Sequence, residues 1–423
     1  MSAMGALWRL AAASAWSRRF GLMWVVLSVA LSTWLLVGVE RVRSDVRQHF
    51  SQTVSGTDLI VGARTGSVQL LLYSVFRMGQ ATQNVRYASV MALQQDPSVA
   101  WVVPLSLGDS VQGFPVVGTT TAYFDHFRYG QRQALVLREG RRFDAVFEAV
   151  VGAEVAQRLG LRVGASMVLR HGAGVIESAD HADKPFTVVG VLKPTGTPVD
   201  RSVHVSLQSM EAIHRDWAMG MPMPGKRLSA QEAAQLDLTP QSVTAALVGL
   251  HSRSAVFAVQ RRIQSVAGEP MMAILPGVAL DELWDAVGWA ERALQVMGSL
   301  VATVSIAGLI AVVITGLEQR RRELAVLRSV GASPRHVWAL LLIEGMGVTA
   351  LGVVLGVCSL VVAAWALAPM AQSLWGWPLS QSVPTAGQWA WVGAVWMAGS
   401  LASLVPGWRA YRMSLSDGLS PKI

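Results

Sequence analysis

The chain has little charge, few lysines and a single cysteine. Only 15% of its 423 residues are charged, whereas soluble domains carry about 25%, so polar residues are too few to cover a water-facing surface. The lone Cys358 excludes a disulfide framework and a cysteine-rich zinc or iron-sulfur site. The net charge of +8 comes mainly from scattered arginines, and no basic tract with interleaved aromatic residues occurs, so nucleic acid is not an expected partner. This composition indicates a membrane protein.

Sequence motifs of catalysis are also missing. The chain contains neither GxSxG nor HExxH, the patterns of two large hydrolase classes. Gly220, Gly225 and Lys226 fit the phosphate-loop pattern GxxxxGK, but Arg227 stands where a serine or threonine must bind magnesium. We therefore predict a chain that is not an enzyme and does not hydrolyse ATP by itself.

Apolar stretches of about 20 residues, the length that spans a bilayer, occur four times. They cover residues 20–39, 293–317, 338–370 and 389–406. The first is flanked by charged residues and has no small-x-small cleavage site after it, so we interpret it as a retained anchor rather than a signal peptide. Four transmembrane helices are expected.

The short connections set the predicted orientation, because arginine and lysine are retained on the cytoplasmic side. The connection after the second stretch carries five arginines, whereas residues 371–388 carry no charge. We therefore place the first connection in the cytoplasm and the second outside. Alternation then puts both termini in the cytoplasm and the long segment between the first two stretches outside.

The long outer segment, residues 41–285, has the composition of a globular domain. Its apolar patterns predict strands at 58–62, 99–107, 186–192 and 203–206, and helices at 68–76, 153–159, 207–217 and 254–266. The expected class is α+β.

Both ends of this segment have apolar residues at helical spacing. Val39, Val42, Val46 and Phe50 follow the first span, and Leu283, Val287, Ala290 and Leu294 precede the second. We expect each span to continue outward as an amphipathic stalk, with the two stalks packed on each other. The alternative is a pair of ordinary surface helices.

Histidines are concentrated in the outer segment. His171 and His181, with Asp180 and Asp183, offer ligand types that suit zinc, but no pair has a tight ligand spacing. We assign no metal site. His171, His181 and Asp183 stay candidates against the alternative that each is an ordinary loop or packing residue.

The arginine-rich cytoplasmic connection has a defined pattern. It reads as a short helix from Glu318 to Val330 that ends at Gly331, and Ser333 with Pro334 then begins the next helix. Positive-inside anchoring alone explains the arginines but not the mixed charges and the two helix signals. A helix that offers charges and a small apolar face to a soluble partner explains both.

Two parts of the chain carry a family resemblance. EQRRRELAVLRSVGAS at 318–333, followed by LLIEG at 341–345, looks like the signature of the MacB/FtsX-type (type VII) ABC transporter permeases. VGAEVAQRLGLRVG at 151–164, with FTVVGVL at 186–192, resembles the periplasmic core domain of that family. The four-span order is also similar, so the resemblance covers essentially the whole chain.

The resemblance implies a non-catalytic permease subunit of the bacterial inner (plasma) membrane. Such a subunit dimerises with a second copy or a paralogue and binds a separate ABC ATPase, which holds the ATP and the magnesium. A periplasmic lipoprotein or adaptor and membrane lipid are further expected partners. Glu344 and Gly345 match the signature of the third span. The residues expected to dock on the ATPase are Glu318, Arg320, Arg321, Arg322, Glu323, Leu324, Leu327, Arg328, Gly331 and Ser333.

The expected fold is a membrane protein with four transmembrane helices and a large α+β periplasmic domain between the first and second, joined by helical stalks. The predicted segments are a cytoplasmic amphipathic N-terminus at 1–19, the first span at 20–39, a MacB-like periplasmic core domain with stalk ends at 40–285, a stalk and second span at 286–317, a cytoplasmic coupling helix at 318–336, the third span at 337–370, a short periplasmic loop at 371–388, the fourth span at 389–408 and a cytoplasmic C-terminus at 409–423.

The leading hypothesis is a permease subunit that couples ATP hydrolysis by its partner to conformational work in the periplasm, in export or in lipoprotein or envelope handling. The alternative hypothesis is an ATP-driven signalling or scaffold protein that regulates a periplasmic partner and responds to metal.

Overall fold

The computed structural model describes residues 19–53, 55–79, 81–171, 181, 183–218, 221–222, 228–266, 268–319, 333–375, 385–405 and 408. These residues divide into two compact units. One comprises residues up to 46 and most of those from 287 onward, and the other comprises residues 47–286. The predicted N-terminal segment before Arg19, the centre of the coupling helix and the C-terminal segment after Trp408 lie outside the described residues.

The helices are numbered in chain order. They are α1 Arg19–Thr53, α2 Ser67–Ser74, α3 Tyr87–Ala92, α4 Ala122–His126, α5 Ala153–Leu159, α6 Leu207–His214, α7 Ala230–Ala234, α8 Val256–Gln264, α9 Pro276–Gln319, α10 Pro334–Trp375 and α11 Ala386–Ala402.

The strands are short apart from β3. They are β1 Leu59–Ala63, β2 Val85–Arg86, β3 Val99–Val111, β4 Phe114–Thr119, β5 Arg128–Tyr129, β6 Gln133–Ala134, β7 Leu137–Gly140, β8 Glu148–Val151, β9 Ser166–Met167, β10 Arg170–His171, β11 Phe186–Leu192, β12 Val203–Ser206, β13 Trp217–Ala218, β14 Met221–Pro222, β15 Ser242–Val243, β16 Ala245–Leu250 and β17 Met271–Ile274.

Three of the described helices are long and apolar enough to cross a membrane. The crossing segments are Arg19–Asp45 of α1, Pro276–Thr315 of α9 and Pro334–Met370 of α10. Many large apolar side chains on these segments are exposed, among them Val304 and Val362. A lipid-facing surface explains this exposure, because hydrocarbon does not penalise apolar side chains.

The predicted fourth span coincides with α11, an apolar helix of 17 residues. At 1.5 Å per residue such a helix is about 25 Å long, somewhat less than the ~30 Å hydrocarbon core. The described residues therefore provide three membrane-length helices, and the crossing by α11 stays a prediction.

Helix α10 approaches α1 closely at two glycines, Gly352 and Gly356. A Cβ at Gly352 would lie 2.7 Å from the Cβ of Val29, and a Cβ at Gly356 would lie 2.6 Å from the carbonyl oxygen of Ala30. Residues four apart share one helix face, and small residues at this spacing let membrane helices pack backbone to backbone. The GxxxG pattern of the third span therefore sets the α1–α10 contact.

Hydroxyl groups join α1 to α9. The Oγ atoms of Ser28 and Ser32 lie 2.7 Å and 2.8 Å from Oγ of Ser305. Oγ of Ser32 also lies within reach of the carbonyl oxygen of Ser28, and Oγ of Ser305 within reach of that of Val301, so no hydroxyl in this group faces hydrocarbon alone. Such bonds contribute roughly 0.6 kcal/mol each between membrane helices.

The outer unit is built on one mixed sheet. Its described strand order is β17-β1-β16-β3-β4-β12-β8-β11-β7, with β10 also paired to β3 and β9 to β11. The pairs β4/β12 and β8/β11 are parallel. Strand β3 joins the two halves, because residues 99–105 pair with β16 and residues 106–111 pair with β4.

Apolar cores cover both faces of this sheet. Along β1, Ile60 faces one core while Leu59 and Val61 face another, as the two-residue repeat of a strand requires. The first core continues under α2 and α4. On the opposite face, one core packs under α3 and α8, and a separate core packs under α5 and α6. Helices on both faces of a mixed sheet confirm the predicted α+β class.

The close approach of α10 to α1 gives a testable prediction. We expect Gly352→Ala and Gly356→Ala to lower the melting temperature of the full-length protein in detergent, with a cost of about 1–3 kcal/mol, because each new methyl group collides with α1. Gly347→Ala is the matched control, since no atom lies within 4 Å of its Cβ position. Equal melting temperatures for all three variants would contradict the packing.

Candidate functional site

The expected ATPase-docking segment is only partly described. The described part of α9 extends to Gln319, and α10 begins at Pro334. Pro334 is therefore the first residue of its helix, as the sequence predicts. Arg320, Arg321, Arg322, Glu323, Leu324, Leu327, Arg328 and Gly331 lie outside the described residues, as does the side chain of Glu318. Their role in docking stays a prediction.

Ser333 is described, and it precedes α10 as the sequence predicts. Its backbone N–H donates to Nδ1 of His336 at 3.2 Å, and its hydroxyl lies 2.7 Å from the same nitrogen. Nδ1 accepts the backbone proton, so it is the unprotonated nitrogen of the ring. The side chain three residues into the helix thus reaches back to the residue before it, as in a capping box, and fixes the start of α10 beside the docking segment.

The two residues of the third-span signature both lie inside α10. Glu344 is buried, which is costly for a carboxyl group inside a membrane helix, and its functional role stays a prediction. Gly345 permits a close contact with α11's C-terminal end, since a Cβ there would collide with Oγ of Ser403. Thr349 and Gly399 make a second such contact one turn further on.

The outer ends of the membrane helices are joined by charge. Nε of Arg43 on α1 lies 2.9 Å from Oε2 of Glu291 on α9, and its Nη1 lies 3.3 Å from Oε2 of Glu40. Glu40 also lies beside the N-terminus of α11, where a Cβ at Gly387 would be 3.2 Å from its Oε1. A carboxylate is favoured there by the helix dipole. We call Glu40, Arg43, Glu291 and Gly387 the stalk junction.

The predicted stalks are helical, and three of their predicted apolar positions are exposed. Helices α1 and α9 run for 35 and 44 residues, which extends well past the predicted spans. Val42, Val287 and Leu294 are nevertheless exposed. An ion pair at the stalk junction joins the two stalks, and Val39, Leu283 and Ala290 are half-buried. Helical spacing predicts a shared face but not what covers it.

A buried ion pair organises one end of the outer sheet. Nζ of Lys184 lies 2.9 Å and 2.8 Å from the two carboxylate oxygens of Asp216, and 2.9 Å from Oδ2 of Asp183. Lys184 is fully buried and Asp216 nearly so. Burial raises the pKa of Asp216, but the hydrogen bonds from Lys184 and from the backbone N–H of Leu228 outweigh it, and the net pKa is lowered.

The metal-ligand candidates from the sequence do not come together as one set. Asp183 pairs with Lys184. His171 ends β10, where its Cα pairs with that of Asp109, and its side chain lies outside the described residues. His181 instead meets Asp109 of β3 and His214 of α6. Sequence reasoning missed both of these partners, although Gly108-Asp109 within a strand pattern is a signal for a bulge.

Comparison with known proteins gives two family matches. Residues 23–266, more than half of the chain, match the model of the MacB-like periplasmic core domain, and residues 296–415 match the FtsX-like permease C-terminal model. A curated relative is the lipoprotein-releasing system transmembrane protein LolC of Neisseria meningitidis serogroup B, 22% identical over 222 residues. The match covers 52% of this chain and 48% of LolC, so the chain spans about half the length of this relative.

Two solved structures also resemble part of the chain. The periplasmic region of MacB from Actinobacillus actinomycetemcomitans covers 55% of this chain and 94% of its own, with 11% identity and a TM-score of 0.34. The extracellular domain of the ABC-type transporter YknZ from Gram-positive bacteria covers 52% and 99%, with 12% identity and a TM-score of 0.31.

The Lys184–Asp216 pair yields a stability prediction. Lys184→Met leaves the Asp216 carboxylate buried without its cation, and we expect a loss of about 3–5 kcal/mol, seen as a lower melting temperature of the full-length protein. Asp183→Asn is the control, because Asp183 is exposed and its pair with Lys184 is worth about 1 kcal/mol or less. The double variant Lys184→Met/Asp216→Leu removes both charges and recovers much of the loss. A Lys184→Met protein as stable as wild type contradicts the assignment.

Proposed function

The chain belongs to the MacB/FtsX-type ABC transporter permeases, and on that premise we propose that it couples ATP hydrolysis by a separate ATPase to conformational work in the periplasm. It is a membrane protein with a MacB-like periplasmic domain. The observation that carries the proposal is the union, in one chain, of that domain with an FtsX-like permease segment. The work done is export, or the handling of lipoproteins or envelope components.

The ATPase docks on the cytoplasmic connection between α9 and α10. Arg321, Arg322 and Arg328 supply positive charge there, and Glu323 supplies negative charge, which suits a charged surface on a soluble partner. The Ser333–His336 contact supports the proposal, because a fixed helix start beside the segment passes its movement into α10. ATP and magnesium are bound by the ATPase and not by this chain.

Helices α1 and α9 carry the movement outward. An unbroken helix transmits a displacement along its axis, because every backbone hydrogen bond would have to stretch for the helix to absorb it. The stalk junction supports joint movement of the two helices, since Arg43 bonds to α9 through Glu291 while also bonding to Glu40 on its own helix. The outer domain is therefore pulled or released as ATP is bound and hydrolysed.

The remaining topology is part of the same proposal. Helix α11 is the fourth span, tilted little because it is short, and both termini lie in the cytoplasm. The permease acts as a dimer with a second copy or a paralogue. Exposed apolar residues on the stalks, Val42, Val287 and Leu294, support a partner helix at this level, because they gain about 25 cal/mol for each Å² of apolar surface that a partner covers.

A lipoprotein is the first substrate class to test. The printed name of the relative LolC describes a lipoprotein-releasing system, and a periplasmic domain moved from the cytoplasm suits extraction of a molecule anchored in the outer leaflet. Reconstitution with the ATPase in vesicles that contain a diacylated lipoprotein tests this choice. Turnover that rises with the lipoprotein and releases it from the vesicle supports transport, whereas turnover without release favours signalling.

The docking assignment makes a direct prediction. We expect Arg321→Glu and Arg322→Glu to abolish co-purification of the ATPase, because each replaces an attractive charge with a repulsive one at the contact. Insertion into the membrane fraction is expected to stay normal. The measurement is the amount of ATPase recovered per permease after solubilisation in mild detergent.

Arg409→Glu is the matched control, since it makes the same charge change on the same predicted side of the membrane, outside the docking segment. We expect it to retain the ATPase. Normal recovery with Arg321→Glu and Arg322→Glu, or equal loss with Arg409→Glu, contradicts docking at this segment.

A further inference from the structure

Two histidines and an aspartate converge at the end of the outer sheet where β3, α6 and the turn at 181–184 meet. One ligand atom from each of Asp109, His181 and His214 lies within 4.8 Å of the others. Nε2 of His214 is 3.4 Å from Oδ1 of Asp109, and the rings of His181 and His214 are perpendicular with centroids 5.2 Å apart. His181 is fully buried and Asp109 nearly so.

A bulge in β3 places Asp109 in this cluster. Leu107 pairs with Val117 and Ser110 pairs with Pro115, so Gly108 and Asp109 together oppose the single residue Val116. Gly108 has φ +152°, in a region that side chains disfavour. Bulges redirect the side chains next to them, and here Asp109 is buried while Gly108 is exposed.

Hydrogen bonds fix both histidines. Nδ1 of His214 lies 2.8 Å from the carbonyl oxygen of Met210. A carbonyl can only accept, so Nδ1 carries a proton, and in the neutral ring Nε2, the nitrogen that faces Asp109, has the lone pair. This is the carbonyl contact that orients metal-binding histidines. His181 donates its N–H to Leu169 and accepts from Lys184 through the backbone. The Lys184–Asp216 ion pair then ties that turn to the end of α6.

The spacing of Asp109 and His214 bears on whether a proton or a metal ion lies between them. A charge-assisted bond between them would be about 2.7–2.9 Å long. The 3.4 Å separation instead equals the ~3.4 Å between two ligands on a tetrahedral ion with bonds near 2.1 Å.

We propose that Asp109, His181 and His214 form a binding site for a divalent transition metal of the zinc type in the outer domain. Two imidazoles and one carboxylate suit zinc and disfavour magnesium or calcium, which take oxygen ligands. Water would fill the fourth position of a tetrahedral ion. The bound ion joins β3, α6 and the turn at 181–184, and so stiffens the end of the sheet. This site is independent of the ATPase.

The test uses the full-length protein, purified without a histidine tag and stripped with a chelator. Titration calorimetry with Zn²⁺, checked by elemental analysis, is expected to give one ion for each chain. Asp109→Asn and His214→Gln each keep the side-chain volume, and we expect each to weaken binding at least about a hundredfold, since losing even an outer-shell group costs about 10- to 100-fold. His251→Gln is the matched control, because His251 is exposed and its backbone N–H bonds to Ser98, eleven residues before Asp109 in the chain.

A thermal measurement separates loss of the site from loss of the fold. Zn²⁺ is expected to raise the melting temperature of the wild type and of His251→Gln, because an ion that binds only the folded chain stabilises it. It is expected to leave Asp109→Asn and His214→Gln unchanged, although these variants melt cooperatively without metal. Absence of bound zinc in the wild type, or wild-type zinc affinity in Asp109→Asn and His214→Gln, overturns the proposal.

Discussion

Two helices that run without a break, α1 over 35 residues and α9 over 44, are the feature on which the rest of this protein depends. In the bilayer a backbone must satisfy its own hydrogen bonds, so a helix is the only form that a single crossing segment can take. The same rule makes the segment stiff. Gly352 and Gly356 set α10 against α1, and Ser305 bonds α9 to α1. Close packing and hydroxyl hydrogen bonds therefore hold the crossing helices together without any ion pair.

A few charged side chains form ion pairs that add to this packing. In the membrane unit the stalk junction pairs Arg43 with Glu40 and Glu291. In the outer unit the buried pair of Lys184 and Asp216 holds a turn to a helix end. Breaking a buried pair costs far more than breaking an exposed one, so these contacts specify structure in a way that the scattered surface arginines do not. The low charge fraction of the chain reflects its apolar helices.

Local sequence patterns predicted the elements well and their partners poorly. Strands β11 and β12 and helix α5 have the predicted bounds, because strand and helix periodicity is local. Spacing at Val42 and Val287 predicted packed stalks, yet both residues are exposed, since a helical face does not name what covers it. Asp109 and His214 belong to distant elements and joined His181 only through a bulge and a helix end. The family resemblance was confirmed, while the docking residues beyond Gln319 stay predictions.

The claim that ATP-driven movement reaches the periplasmic domain is tested most directly by fluorescence energy transfer within one chain. Cys358 is replaced by serine, so that no native thiol reacts. Dyes are then attached to cysteines introduced by Phe257→Cys in the outer domain and Trp408→Cys beyond α11, both exposed positions. The permease with its co-purified ATPase is measured without nucleotide and after trapping with ATP and vanadate. A shift in transfer efficiency on trapping, lost in the Arg321→Glu variant, is the predicted result. An unchanged efficiency in complexes that hydrolyse ATP would contradict transmission through the stalks.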